Sequence, residues 1–198
     1  MSASKPIVVV AISGASGAPI AVRILQLLRE SGRYDAHLVI TPAGVVTIEQ
    51  ECELSIKEVK ALADVVHKHS HIGASIASGA SNVVAMLLVP CSIHQLSAVA
   101  YGITDDLVSR AADVCLKEGR PLLLMLRESP LHSGHIAAMH LASQSGAIIA
   151  PPVPAFYRNP ASVADIIDDI AIRALSRVGL LGELRDTWIG IPEDQRMH

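Results

Sequence analysis

The sequence predicts an α/β fold: a doubly wound, mainly parallel sheet in a Rossmann- or flavodoxin-like three-layer sandwich. Two observations carry this. Short apolar runs rich in Val, Ile and Leu alternate with longer amphipathic stretches along the chain. The runs lack polar alternation, as strands buried on both faces do. Hydrophobic residues make up 51% of the 198 residues and charged residues 18%, so a sizeable core is available.

In chain order, Ile7–Ile12 is the first strand and Ala18–Ser31 the first helix. His37–Thr41 follows as a strand, then Val45–Glu53 and Ser55–Lys68 as helices. Val83–Pro90 is the third strand, with helices Ser92–Tyr101 and Asp105–Glu118 after it. Leu122–Leu126 and Ala147–Ala150 are the remaining strands, and Ser133–Ser145 and Ser162–Val178 the remaining helices. Strands alternating with helices imply right-handed crossovers and ligands outside the carboxyl ends of the strands. Residues 1–180 are expected to form one domain, and 181–198, with Gly182, Trp188, Gly190 and Pro192, a partly irregular tail.

Composition narrows the function. With 16 basic and 19 acidic residues the net charge is −3, which does not favour nucleic acid. Aromatic residues are only 3%, too few for a base-stacking platform. No apolar run reaches the roughly 18 residues of a membrane span. Met1–Pro6 is too short and polar for a signal peptide. Three cysteines, Cys52, Cys91 and Cys115, fit no disulfide framework and point to a reducing cytoplasm. A mean hydropathy of +0.42 in so short a chain favours a homo-oligomer.

The loops after the strands hold the candidate site. Ser13-Gly14-Ala15-Ser16-Gly17 joins a strand to a helix, where small residues let a phosphate approach the helix N-terminus. The second strand ends in Thr41-Pro42, with no carboxylate for a ribose, which favours a mononucleotide such as FMN over a dinucleotide. Ser92 is a good N-cap, and Cys91 beside it is either a nucleophile or a small buried thiol. Asp106, Arg110, Asp113 and Lys117 form a charged stripe, either i,i+4 ion pairs or an anion-binding face. Arg127 and Glu128 leave the fourth strand, and a guanidinium there suits a phosphate. Arg173 has Asp165, Asp168 and Asp169 nearby as partners. His67 and His71 share a helical face, and the histidines give no convincing metal set.

Ser13-Gly-Ala-Ser-Gly17, Ile76-Ala-Ser-Gly79, Val89-Pro-Cys-Ser92, Arg110-Ala-Ala-Asp113, Leu116-Lys-Glu118, Arg127-Glu-Ser-Pro130, Pro151-Pro-x-Pro-Ala-Phe-Tyr157 and Asp165-x-x-Asp168 together resemble the UbiX-type flavin prenyltransferases. The resemblance runs from Ile7 to Leu180 and departs at Pro42, Gly119 and residues 80–84. It implies transfer of a dimethylallyl group from dimethylallyl phosphate to N5 and C6 of reduced FMN, without a metal. The product, prenylated FMN, would serve a partner decarboxylase of (hydroxy)aryl acids. It also implies a dodecamer with sites at subunit interfaces. By the same resemblance Ser13, Gly14, Ala15, Ser16, Thr41, Ser92 and Arg127 contact FMN. Glu51, Lys117, Glu128 and Tyr157 are the catalytic set, and Arg110, Lys117, Arg127, Tyr157 and Arg173 hold the prenyl phosphate. Tyr157 and Trp188 are the aromatic candidates for shielding an allylic cation. The alternatives are a non-catalytic FMN carrier and an FMN-dependent cysteine-type decarboxylase.

Overall fold

A computed structural model describes residues 4–180. Six parallel strands form one sheet in the order β3-β2-β1-β4-β5-β6. They are β1 (Ile7–Ile12), β2 (Asp35–Ile40), β3 (Val65–His67), β4 (Val83–Cys91), β5 (Leu122–Leu126) and β6 (Ile148–Ile149). The helices are α1 (Ala18–Ser31), α2 (Pro42–Glu51), α3 (Ile56–Ala61), α4 (Ile93–Tyr101), α5 (Leu107–Lys117), α6 (Ser133–Gln144) and α7 (Val163–Arg177).

The central strands β1, β4 and β5 are apolar throughout because both faces are covered. In β4, Ala85, Leu87 and Val89 join a core with α1 and α7, while Met86, Leu88 and Cys91 join one with α4, α5 and α6. Leu87 and Leu88 are fully buried. Each contributes roughly 1.5–3 kcal/mol relative to exposure.

Two expectations for the second quarter of the chain give way. The helix expected from Val45 begins at Pro42, because Thr41 caps it and proline suits the first helical turn. The helix expected over Ser55–Lys68 ends at Ala61, and the chain then forms β3 at the sheet edge. Asp64 anchors this edge by accepting the Ala36 N–H at 2.7 Å. His67 therefore lies on a strand, not a helical face, with its Nε2 3.1 Å from His37 Nδ1. The expected tail, with Trp188, lies outside the described residues.

The fold sets the loops at the carboxyl edge. Ser13 is buried there and stitches two strands together. Its hydroxyl donates to the Pro90 carbonyl at 2.8 Å and accepts the Ser92 N–H at 2.8 Å. The tight fit of α2 explains two glycines. A Cβ on Gly14 would lie 2.3 Å from Ala43 Cβ, and one on Gly44 2.4 Å from the Ile12 carbonyl oxygen.

Candidate active site

Helix α1 starts at Gly17, whose φ of 118° is open to glycine, and no side chain of its own caps it. The cap comes from α2. Glu51 Oε2 accepts the N–H groups of Gly17 at 2.8 Å and Ala18 at 3.0 Å. A carboxylate at the positive end of a helix satisfies two orphan donors and the dipole together. Of the expected phosphate cradle, the Gly17 and Ala18 amides are thus taken by Glu51, while Gly14, Ala15 and Ser16 line the cavity beside it. The α1 amides hold Glu51, the Ser13 hydroxyl holds the sheet, and Gly14 makes room for Ala43.

Glu51 lines a cavity of about 380 Å³ with Gly14, Ala15, Ser16, Ser92, Arg127 and Glu128, and with Val46, Thr47, Gln50 and Ile93. Both amide bonds fall on Oε2 and leave Glu51 Oε1 without one. Ser16 and the Arg127 side chain are exposed and make no hydrogen bond among the described residues. Glu128 Oε1 accepts the Ser129 N–H at 3.0 Å.

A second cavity, of about 350 Å³, shares Gly14 and Ser92 with the first. Ser13, Thr41, Pro42, Ala43, His69, His94, Gln95 and Asp106 complete its lining. Thr41 and Ser92 cap α2 and α4 by accepting the Gly44 and Gln95 N–H groups. Their hydroxyl protons remain available to a ligand. The two adjoining cavities, rich in small residues and donors, fit a phosphate-bearing ligand with a planar ring.

The charged stripe of α5 does not form the expected ladder. Asp106 turns inward as the N-cap and bonds Ser109, Gln95 and His69, not Arg110. Burial pushes the Asp106 carboxyl up, but the bonds from the Ser109 N–H and the Gln95 amide, and the charge of His69, together hold it below its usual value. Arg110 Nη1 donates to Asp113 at 2.9 Å, and Lys117 pairs with Glu118. Helix α5 carries Lys117 about 16 Å along its axis from Asp106, to the amino edge of the sheet beside Gly79. A single chain therefore does not bring Lys117 to Glu51 and Arg127.

Tyr157 and Arg173 meet on the far side of β6, where Arg173 Nη1 donates to the Tyr157 hydroxyl at 3.4 Å. The guanidinium groups of Arg158 and Arg173 hold the phenol below its usual value. Arg173 and Arg177 also border a cavity of about 230 Å³ whose other lining residues, among them Met125, Pro151 and Ile170, are apolar. None of the three aspartates expected beside Arg173 pairs with it. Asp165 caps α7, Asp168 binds Arg23 at 2.6 Å, and Asp169 binds Arg158 at 2.9 Å. Cys91 is fully buried, and burial drives its thiol well up, away from any nucleophilic role. Among the described residues no group of three or more His, Cys, Asp or Glu is placed to hold a metal, and no helix is long and apolar enough to cross a membrane.

The Flavoprotein family model matches residues 1–172. The flavin prenyltransferase UbiX of Escherichia coli K12 is 47% identical over 184 residues, 92% of this chain and 97% of that protein. The chain belongs to the UbiX flavin prenyltransferase family. Among solved structures, a dodecameric FMN-dependent UbiX-like decarboxylase from Escherichia coli O157:H7 superposes with a TM-score of 0.89. It is 41% identical, covering 93% of this chain and all of that one. AnUbiX (PadA1), solved with FMN and dimethylallyl pyrophosphate, gives a TM-score of 0.86 at 38% identity, covering 92% and 99%. The family's α/β sandwich is the fold described above. Sequence reasoning missed His69 and Gln95 as lining residues of its carboxyl-edge cavities, and took Asp106 for surface charge. The capping pattern Asp106-x-x-Ser109 was the available signal for that turn inward.

Proposed function

We propose that this protein transfers a dimethylallyl group from dimethylallyl phosphate to N5 and C6 of reduced FMN. The observation that carries this is Glu51, fixed at the α1 N-terminus with Oε1 free and sharing a cavity with Arg127. Thr41, Ser92 and the Gly14–Ser16 loop would hold FMN, which supplies a nucleophilic reduced ring when bound. Arg127 would bind the leaving phosphate, stabilising negative charge that grows as the allylic bond breaks. Glu51 Oε1 would take the proton lost as the second ring bond forms. Glu128, which lines the same cavity, would complete the catalytic set. Tyr157 and Arg173 would hold the prenyl phosphate at the site of a neighbouring copy.

Lys117 and Arg110 would likewise serve the site of another copy, since their own chain holds Lys117 at the opposite edge. We therefore propose a homo-oligomer, a dodecamer by likeness to the solved relative. Exposed apolar side chains support such contacts, among them Phe156 at 70% and Val163 at 71% exposure. Residues 1–180 would form the flavin-binding unit. The product would pass to a decarboxylase that uses prenylated FMN. Free cysteines support a reducing compartment, which we take as the cytoplasm.

The test measures phosphate release from dimethylallyl phosphate under anaerobic conditions with reduced FMN. Wild type should release phosphate only when the reduced flavin is present. Glu51→Gln and Lys117→Ala homo-oligomers should be nearly inactive. Dissociating and reassembling them together should restore part of the activity. Flavin-independent release, or none, would overturn the reading, and failed complementation would overturn the shared site.

A further inference from the structure

The second cavity contains a side-chain network that the proposed chemistry leaves without a role. Asp106 lines the cavity, 7% exposed, accepting three hydrogen bonds and forming an ion-pair contact with His69. Oδ1 takes the Ser109 N–H at 2.8 Å and the Ser109 hydroxyl at 3.1 Å. Oδ2 takes the Gln95 amide at 2.7 Å and stands 3.1 Å from His69 Nε2. A carboxylate so engaged fixes the neighbouring ring, as second-shell carboxylates do for histidines. His69 is held by its backbone as well, its carbonyl accepting the Leu107 N–H at 2.9 Å.

An ionised Asp106 requires the proton on Nε2. That leaves Nδ1 with no protein partner among the described residues, on a ring that lines the cavity. The rest of the lining is rich in donors: the hydroxyls of Thr41 and Ser92, and the first turn of α4. Gln95 is 2% exposed, and its Oε1 is buried without a partner. Its amide is committed to Asp106, so the network turns the His69 ring to the cavity, whose lining also includes the exposed His94. No Lys or Arg lines this cavity. At the α1 terminus, by contrast, a protein carboxylate already fills the anion position.

We infer that His69, oriented by Asp106, is a specificity residue for the phosphate of FMN, donating from Nδ1 as an imidazolium to the phosphate group in the second cavity. The inference rests on the flavin-binding reading. It makes the His69 cation the feature that distinguishes FMN from riboflavin, which lacks the phosphate. The proton on Nδ1 comes from solvent, and no covalent step is involved.

The test titrates the full-length protein with FMN and, separately, with riboflavin, following flavin fluorescence. His69→Gln keeps a neutral amide donor toward Asp106 and removes Nδ1. It should weaken FMN about tenfold, the difference between a charge-assisted and a neutral contact, and leave riboflavin unchanged. His69→Asn places an amide near the Nδ1 position and should recover part of the FMN preference. Equal weakening of both flavins would mean a structural role and overturn the inference, as would an unchanged FMN affinity in His69→Gln. Wild-type protein that binds neither flavin would overturn the parent reading and this inference with it. Wild-type binding with an unaltered preference in the variant would overturn the role of His69 alone.

Discussion

Gly44→Ala tests how the packing of one helix start positions the site. The added Cβ would stand 2.4 Å from the Ile12 carbonyl oxygen, a backbone atom at the end of central strand β1. That oxygen also accepts the Thr41 N–H at 3.0 Å, so the strand has little freedom to yield. Helix α2 must instead move outward by about 1 Å to reach an ordinary contact. The move strains the Gly44 N–H bond to Thr41 Oγ1, now 3.0 Å. Overpacking costs about 1–3 kcal/mol and a lost cap about 1 kcal/mol, together about 2–4 kcal/mol. For a chain of this size that lowers Tm by roughly 4–16 °C. Helix α2 also carries Glu51, so the α1 cap loosens with it. The assay is thermal unfolding with Gly73→Ala as control, where a Cβ meets only His71 atoms at 3.8 Å or beyond. A Gly44→Ala protein melting within about 1 °C of wild type would refute the reasoning.

Glu51→Gln keeps an acceptor for the Gly17 and Ala18 N–H groups but removes the charge. It should lower stability by about 1 kcal/mol and slow ring formation by about a hundredfold or more, with FMN affinity little changed. Stopped-flow kinetics beside flavin titration checks this, and equal loss of both would contradict the assigned role. His37 and His67 are held below the ordinary value of 6.5, chiefly by burial. The unfolded chain therefore binds more protons in acid, so stability present above about pH 6.5 declines as pH falls through the lower folded values. Denaturant midpoints across that range should show the decline, and His67→Gln should flatten it. Cys91→Ala should retain turnover with reduced FMN and dimethylallyl phosphate; abolished turnover in a folded variant would revive thiol chemistry.

The strands were legible because β1, β4 and β5 are unbroken apolar runs, a pattern that burial on both faces imposes. Ser92 was legible as an N-cap for the same local reason that capping residues are. Strand β3 was not, since three edge residues have too little period to stand out from a helix. The start of α2 was written in Thr41-Pro42, but the apolar spacing from Val45 drew attention away from it. Charge pairing was the least legible. Spacing on a helix shows which groups can meet, whereas the inward turn of Asp106 depends on Gln95 and His69 arriving from elsewhere. The separation of Lys117 from Glu51 follows from topology, because a helix entering a parallel strand must end at the amino edge. Motif residues that read as one site in sequence order therefore divide between two edges of the sheet.

The central claim is that the carboxyl-edge cavities join a prenyl group to a flavin. Mass spectrometry of the flavin recovered after anaerobic incubation with reduced FMN and dimethylallyl phosphate tests it most directly. The account predicts a flavin heavier by one C5H8 unit, absent when Glu51→Gln replaces wild type over the same interval. Recovery of unmodified FMN from protein that binds it tightly would contradict the account and leave a flavin carrier in its place.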